Sequence, residues 1–177
     1  MKIVVLNGSP RKNGNTSGLV NAFAEGARSA GHTVTVFHLD SMDLHGCKGC
    51  LQGHRCSPEK PCVQRDDMDL IYPPYKVAEL VVFASPLYYW NFSAQLRTAQ
   101  DRLYAVEEAC GRPKKQAVLL MAAQGRAFED SVQMYRSMLS HLGWTDRGMV
   151  LCGKVHRLGD ITGRPELEEA YKLGASL

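Results

Sequence analysis

The feature that most restricts the fold lies at the amino end. An aliphatic run, Ile3-Val4-Val5-Leu6, breaks at Asn7-Gly8-Ser9-Pro10-Arg11-Lys12-Asn13-Gly14-Asn15-Thr16, where apolar residues at helical spacing begin. An apolar run that short, bounded by Gly and Pro, reads as a strand, and strand, polar loop and helix in succession begin a parallel βαβ unit. In open sheets of such units, ligands bind beyond the carboxyl ends of the strands. The loop offers groups that suit an anion: the Ser9, Thr16 and Ser17 hydroxyls, the Asn13 and Asn15 amides, the Arg11 guanidinium, and the N–H groups of a helix start. The bland alternative is a connector in which Asn15 or Thr16 only caps the helix.

Spacing narrows the kind of phosphate site. A P-loop has four residues between its glycines and then Lys-Ser/Thr, whereas five residues separate Gly8 from Gly14 and Asn15 follows. Gly8 has no glycine two positions on, so the dinucleotide fingerprint is absent too. A single terminal phosphate, as in FMN, fits better than a triphosphate or a pyrophosphate.

The remaining periodicities repeat the opening pattern. A helix over Thr16 to Ala30 stops at Gly31, and Thr33 to Phe37 alternates as a strand. Pattern then fails from Leu39 to Asp66, a gap long enough to be functional. A helix starts at Asp66, with Pro73-Pro74 expected to end or kink it. Leu80 to Ala84 and Ala117 to Met121 are buried strands, the first ended by Ser85-Pro86; Asp146 to Cys152 is a last strand. Helices are expected over Ser93 to Val106, with Ser93 as cap, over Phe128 to Leu142, and from Pro165 to a stop at Gly174. Five strands alternating with helices specify an α/β fold, a three-layer α/β/α sandwich with a five-stranded parallel sheet. In the doubly wound order 2-1-3-4-5 the switch point brings Ser9 to Thr16 and Ser85 to Asn91 to one crevice.

With 177 residues, one domain spanning 1–177 is expected, carrying a cysteine-rich loop at about 41–65. A net charge of +3 with no block of like charges argues against nucleic acid or a membrane surface as partner. No apolar run approaches a membrane span and Met1-Lys2 leads straight into a strand, so a cytoplasmic protein is expected, with its six cysteines reduced, redox-active or metal-bound.

Gly8-Ser9-Pro10-Arg11-Lys12-Asn13-Gly14-Asn15-Thr16 resembles the phosphate loop of the flavodoxin-like NAD(P)H-dependent FMN reductases, in the branch that includes the iron-sulfur flavoproteins. The likeness continues in Cys62-Val63-Gln64-Arg65-Asp66-Asp67-Met68, in Ser85-Pro86-Leu87-Tyr88-Tyr89-Trp90 with Asp101-Arg102 in the next helix, and in Glu169-Ala170-Tyr171-Lys172-Leu173-Gly174. The resemblance implies an FMN-dependent oxidoreductase that takes hydride from NADH or NADPH and passes electrons to a quinone, a flavin or another small acceptor. It also implies a homodimer or tetramer. The alternative is an iron-sulfur flavoprotein serving as electron carrier for a ferredoxin-like partner. Carried over residue by residue, Ser9, Arg11, Asn15, Thr16 and Ser17 would hold the phosphate, and Pro86, Leu87, Tyr88 and Tyr89 would line the ring. A third loop would bring Ala123, Gln124 and Gly125 near it.

Chemistry supports this use of the second stretch, since aromatic and proline faces flank a flat ring while Asn91 and backbone N–H groups can reach its polar edge. Tyr88-Tyr89-Trp90 also suits a subunit contact, and Asp101-Arg102 suits a structural ion pair. No catalytic acid or base is required, because the flavin itself accepts hydride. Cys47, Cys50, Cys56 and Cys62 leave three readings open: free or redox-active thiols, an iron-sulfur cluster, or zinc. The iron-sulfur flavoproteins place only two residues between the second and third cysteines, where this chain has Gly53. Cys110 and Cys152 read as packing residues.

Overall fold

Each apolar run becomes a strand of one sheet. The computed structural model describes residues 1–50 and 62–177. In chain order the elements are β1 (Lys2–Asn7), α1 (Asn15–Ser29), β2 (Thr33–His38), α2 (Met68–Val77), β3 (Leu80–Tyr88), β4 (Asn91–Phe92), α3 (Ala94–Ala109), β5 (Gln116–Ala122), α4 (Glu129–Leu142), β6 (Thr145–Cys152) and α5 (Pro165–Ala175). The sheet order is β2-β1-β3-β5-β6, with the two-residue β4 antiparallel to β3. All other pairings are parallel. With β4 set aside, this is the expected doubly wound order, and the switch point falls at β1 and β3.

Period-two alternation in runs without polar residues explains the three layers, because both faces of the sheet must then be covered. Val4, Leu6, Val81, Phe83, Leu119 and Met121 pack with Ile71 and Tyr75 of α2, Leu96 and Leu103 of α3 and Tyr135 of α4. Ile3, Val5, Leu80, Val82, Val118 and Leu120 pack with Leu19 and Phe23 of α1 and Ala170 of α5. Each such side chain contributes about 1.5–3 kcal/mol by leaving water.

Two expected stops did not hold, and a helix expected to end or kink at a proline pair does not end there. Strand β3 continues through Ser85-Pro86 to Tyr88. Its pairing with β1 ends at Ala84, so the N–H that Pro86 lacks is not needed on that side. Helix α2 continues through Pro73 and Pro74. The carbonyls thereby left without donors belong to Asp69 and Leu70, which are exposed, while buried Tyr72 and Tyr75 hold the helix to the core. Helix α5 runs past Gly174. That glycine lies where a Cβ would collide with the Phe23 carbonyl of α1, so it permits backbone contact between the two helices rather than a helix stop.

Candidate functional site

Strand β1 ends at Asn7, which is fully buried. Asn7 Oδ1 accepts from the Ser9 amide at 3.0 Å, and Asn7 Nδ2 donates to Ser17 Oγ at 3.0 Å. The Arg11 carbonyl then gathers Ser9 Oγ at 3.1 Å, Ser17 Oγ at 3.1 Å and the Gly14 amide at 2.9 Å. These bonds fold residues 8–14 into a closed arch. Gly14 is the N-cap of α1 and supplies no side-chain cap, so the Asn15, Thr16 and Ser17 amides at the start of the helix have no intrahelical acceptor.

Neither capping alternative survives. The Asn15 side chain reaches across to the segment after β6, donating to the Arg157 carbonyl at 3.0 Å and accepting from the Ile161 amide at 3.2 Å. Arg11 Nη1 donates to the His156 carbonyl at 3.2 Å from the same side.

The opposite wall is a hairpin, in which Leu87 pairs with Phe92 and Tyr88 with Asn91. Ser93 caps α3 as expected, accepting from the Leu96 amide at 3.3 Å. It also donates to the Gly8 carbonyl at 2.7 Å, which ties the hairpin to the arch. Gly8 is required for this approach, since a Cβ there would sit 2.5 Å from Ser93 Oγ and 2.6 Å from Leu96 Cβ.

Between the two walls is a cleft of about 240 Å³ at the carboxyl ends of β1, β3 and β5. Ser9, Arg11, Asn15 and Thr16 line one side, Pro86, Leu87 and Tyr88 the other, and Ala123 and Gln124 the end. Five residues expected with them do not line it. Ser17 is buried in the arch, Asn13 is exposed, and the Asn91 side chain accepts from the Phe92 amide at 2.8 Å. Tyr89 is 93% exposed, and the Gly125 carbonyl accepts from the Lys154 amide at 3.2 Å. Gly14, inside the expected loop, also lines it; Ala122, Val155 and His156 belong to the lining and were not anticipated. The one sequence signal for Val155 and His156 is that they follow the last strand at the same sheet edge.

Arg102 has a different partner from its sequence neighbour. It is 1% exposed and forms a fork with Asp66, Nη1 to Oδ2 at 2.5 Å and Nη2 to Oδ1 at 3.1 Å, while Nη1 also donates to the His45 carbonyl at 2.7 Å. Asp101 instead faces Arg97 at 3.7 Å on the surface. Burial pushes the Asp66 carboxyl up, but the Arg102 fork and the amides of His45 and Met68 outweigh it and hold the group below the usual carboxylate range. The fork therefore staples together the two chain ends that bracket the cysteine segment. Cys47 and Cys50 are exposed and Cys62 is buried, while Cys56 lies outside the described residues. Among the described residues no three potential ligands are gathered into a metal site. A larger cavity of about 420 Å³ between α3 and α4 reaches Cys47, Phe83, Met138 and Trp144 and contains none of the residues expected to hold FMN.

The sequence model of the NADPH-dependent FMN reductases matches residues 1–152. The chain belongs to that family. It is accordingly an NAD(P)H-dependent oxidoreductase with FMN as cofactor. An iron-sulfur flavoprotein of Archaeoglobus fulgidus is 31% identical over 182 residues, an alignment covering 100% of this chain and 79% of that protein. Among solved structures, an NAD(P)H:quinone oxidoreductase from Methanothermobacter marburgensis has a TM-score of 0.73 at 19% identity, covering 98% of this chain and 95% of that one. An azoreductase from Bacillus anthracis has a TM-score of 0.73 at 20% identity with both chains fully covered. These structures share the fold. Among the described residues no helix is long and apolar enough to cross a membrane.

Proposed function

We propose that the cleft holds FMN and that the protein reduces a quinone, a free flavin or another small acceptor: NAD(P)H + H⁺ + quinone gives NAD(P)⁺ + hydroquinone. One observation carries this reading. The cleft joins unpaired helix-start amides, beside the Arg11 guanidinium, to a flat apolar wall of Pro86, Leu87 and Tyr88.

The donor set suits a phosphomonoester at one end and a ring at the other. In this reading the Asn15 and Thr16 amides and Arg11 take the phosphate. Asn15 acts through its backbone, since its side chain is engaged within the protein, and Ser17 supports the arch from inside. Asn7 keeps the arch in shape. Pro86, Leu87 and Tyr88 hold one face of the ring, and Ala123 and Gln124 meet its edge. When bound, FMN supplies the chemistry, accepting hydride and passing electrons on. The chain's residues orient the reactants and keep one face of the site dry. With one site serving donor and acceptor in turn, parallel-line ping-pong kinetics are expected.

The test is a titration of the flavin-free protein with FMN followed by NADPH under anaerobic conditions. Saturable binding, bleaching of the flavin bands by NADPH and their return with a quinone support the reading. A protein that takes up no FMN overturns it. A second reading, an electron carrier with an iron-sulfur cluster on the four cysteines, is favoured by the Archaeoglobus relative's name and by Cys47 and Cys50 standing exposed beside the stapled chain end. Iron and acid-labile sulfide in equal, stoichiometric amounts after anaerobic purification would establish it; their absence, with full NADPH turnover, would remove it.

A further inference from the structure

The tip of the hairpin combines backbone strain with aromatic exposure. Its two turn residues, Tyr89 and Trp90, have φ of 49° and 61°, the geometry of a type I′ turn, which normally takes Asn-Gly. Two aromatic residues in this left-handed region cost about 1–2 kcal/mol each. The strain is held from outside the turn. The buried Ser131 hydroxyl of α4 donates to the Trp90 carbonyl at 3.0 Å, and the Tyr88–Asn91 pair closes the turn below. The cost also brings little burial, since Tyr89 is 93% and Trp90 57% exposed, their rings meeting edge to face with centroids 5.4 Å apart. A turn held in strain with its apolar side chains in water, one residue beyond the cleft-lining Tyr88, serves something that binds there.

We propose that Tyr89 and Trp90 form the outer binding platform for a planar aromatic electron acceptor, of the quinone class, as it enters the cleft. This rests on the reading above that the cleft holds FMN. The chemistry selects the class. An exposed, pre-formed pair of rings gains most from stacking against another flat ring and gains little from a small charged oxidant. Continuity through Tyr88 places the platform beside the ring wall rather than on a separate face. Tyr89 and Trp90 are thus assigned to acceptor selection, a role distinct from lining the flavin.

The test replaces both residues with the pair the turn prefers, Tyr89→Asn with Trp90→Gly. Holoprotein is reduced with dithionite, and reoxidation is followed by stopped flow with a naphthoquinone and, separately, with ferricyanide. The expected result is a fall of about tenfold or more in the naphthoquinone-to-ferricyanide ratio of second-order rate constants, with a melting temperature equal to or above that of the parent. Trp90→Gly alone is the second variant and moves the ratio in the same direction. A ratio within about twofold of the parent overturns the proposal. An unchanged ratio with loss of a dimer in sedimentation assigns the patch to a second copy and overturns it as well. Using dithionite keeps the test independent of the hydride donor, so failure of NADPH to reduce the flavin bears on the proposed function and not on the platform.

Discussion

The two walls of the cleft are built by opposite means. In the arch of residues 8–17, side chains are spent on internal hydrogen bonds: Asn7, Ser9, Asn15 and Ser17 all bond to protein groups, and the backbone amides at the helix start are left to act. In the 86–92 hairpin, backbone pairing and the Ser131 and Ser93 contacts fix the chain, and the side chains are left to act. A polar loop thus makes a rigid anion site with few free side chains, and a strained hairpin makes an apolar one from its side chains. The cysteine segment is a third case. Its ends are clamped by the Arg102–Asp66 fork, which touches neither wall.

Breaking that clamp has the largest expected effect. Arg102→Met strands the Asp66 carboxylate and should cost about 3–5 kcal/mol of stability, read by urea denaturation. If the comparison is right, the folded fraction still binds FMN with parental affinity; a proportionate loss of affinity would show that the clamp also shapes the cleft. Gly8→Ala attacks the joint between the walls and should cost about 1–3 kcal/mol through the clash with Ser93 and Leu96. FMN affinity should fall with it, because the Ser93 bond to the Gly8 carbonyl orients both walls.

Arg11→Ala should weaken FMN binding about tenfold with little change in melting temperature, since the residue is exposed and its charged hydrogen bond to His156 is the main one lost. An equal loss of riboflavin affinity would refute a phosphate role. The smallest effect is in pH. The Asp66 carboxyl titrates lower folded than unfolded, so its contribution is present above about pH 4 and is lost as pH falls through the folded value. Asp66→Asn should flatten that acid limb in thermal melts between about pH 2.5 and about pH 5, around the ordinary carboxylate value of about 4.

Local pattern was enough for most of the architecture. Short apolar runs bounded by turn residues read as strands covered on both faces, and Ser93 at a helix start reads as a cap because its hydroxyl suits the orphan amides. The Ser9 to Thr16 and Ser85 to Asn91 stretches were legible as facing one crevice because strand order fixes which loops share an edge, although only 86–88 of the second stretch line it. Sequence also indicated that Arg102 is structural, but not that Asp66, 36 positions away, is its partner. Nor did it reveal Val155 and His156, which the segment after β6 brings to the cleft through its bonds to Asn15, Arg11 and the Ala123 carbonyl. The continuation of α2 through Pro73-Pro74 and of β3 through Pro86 depended on which side of each element faced solvent or lacked a neighbour. Composition and periodicity decide what a segment can bury and which edge it ends on. Tertiary structure decided which side chains were consumed in holding the fold and which backbone or aromatic groups were left free, because that choice depends on partners distant in sequence and on the direction each group faces.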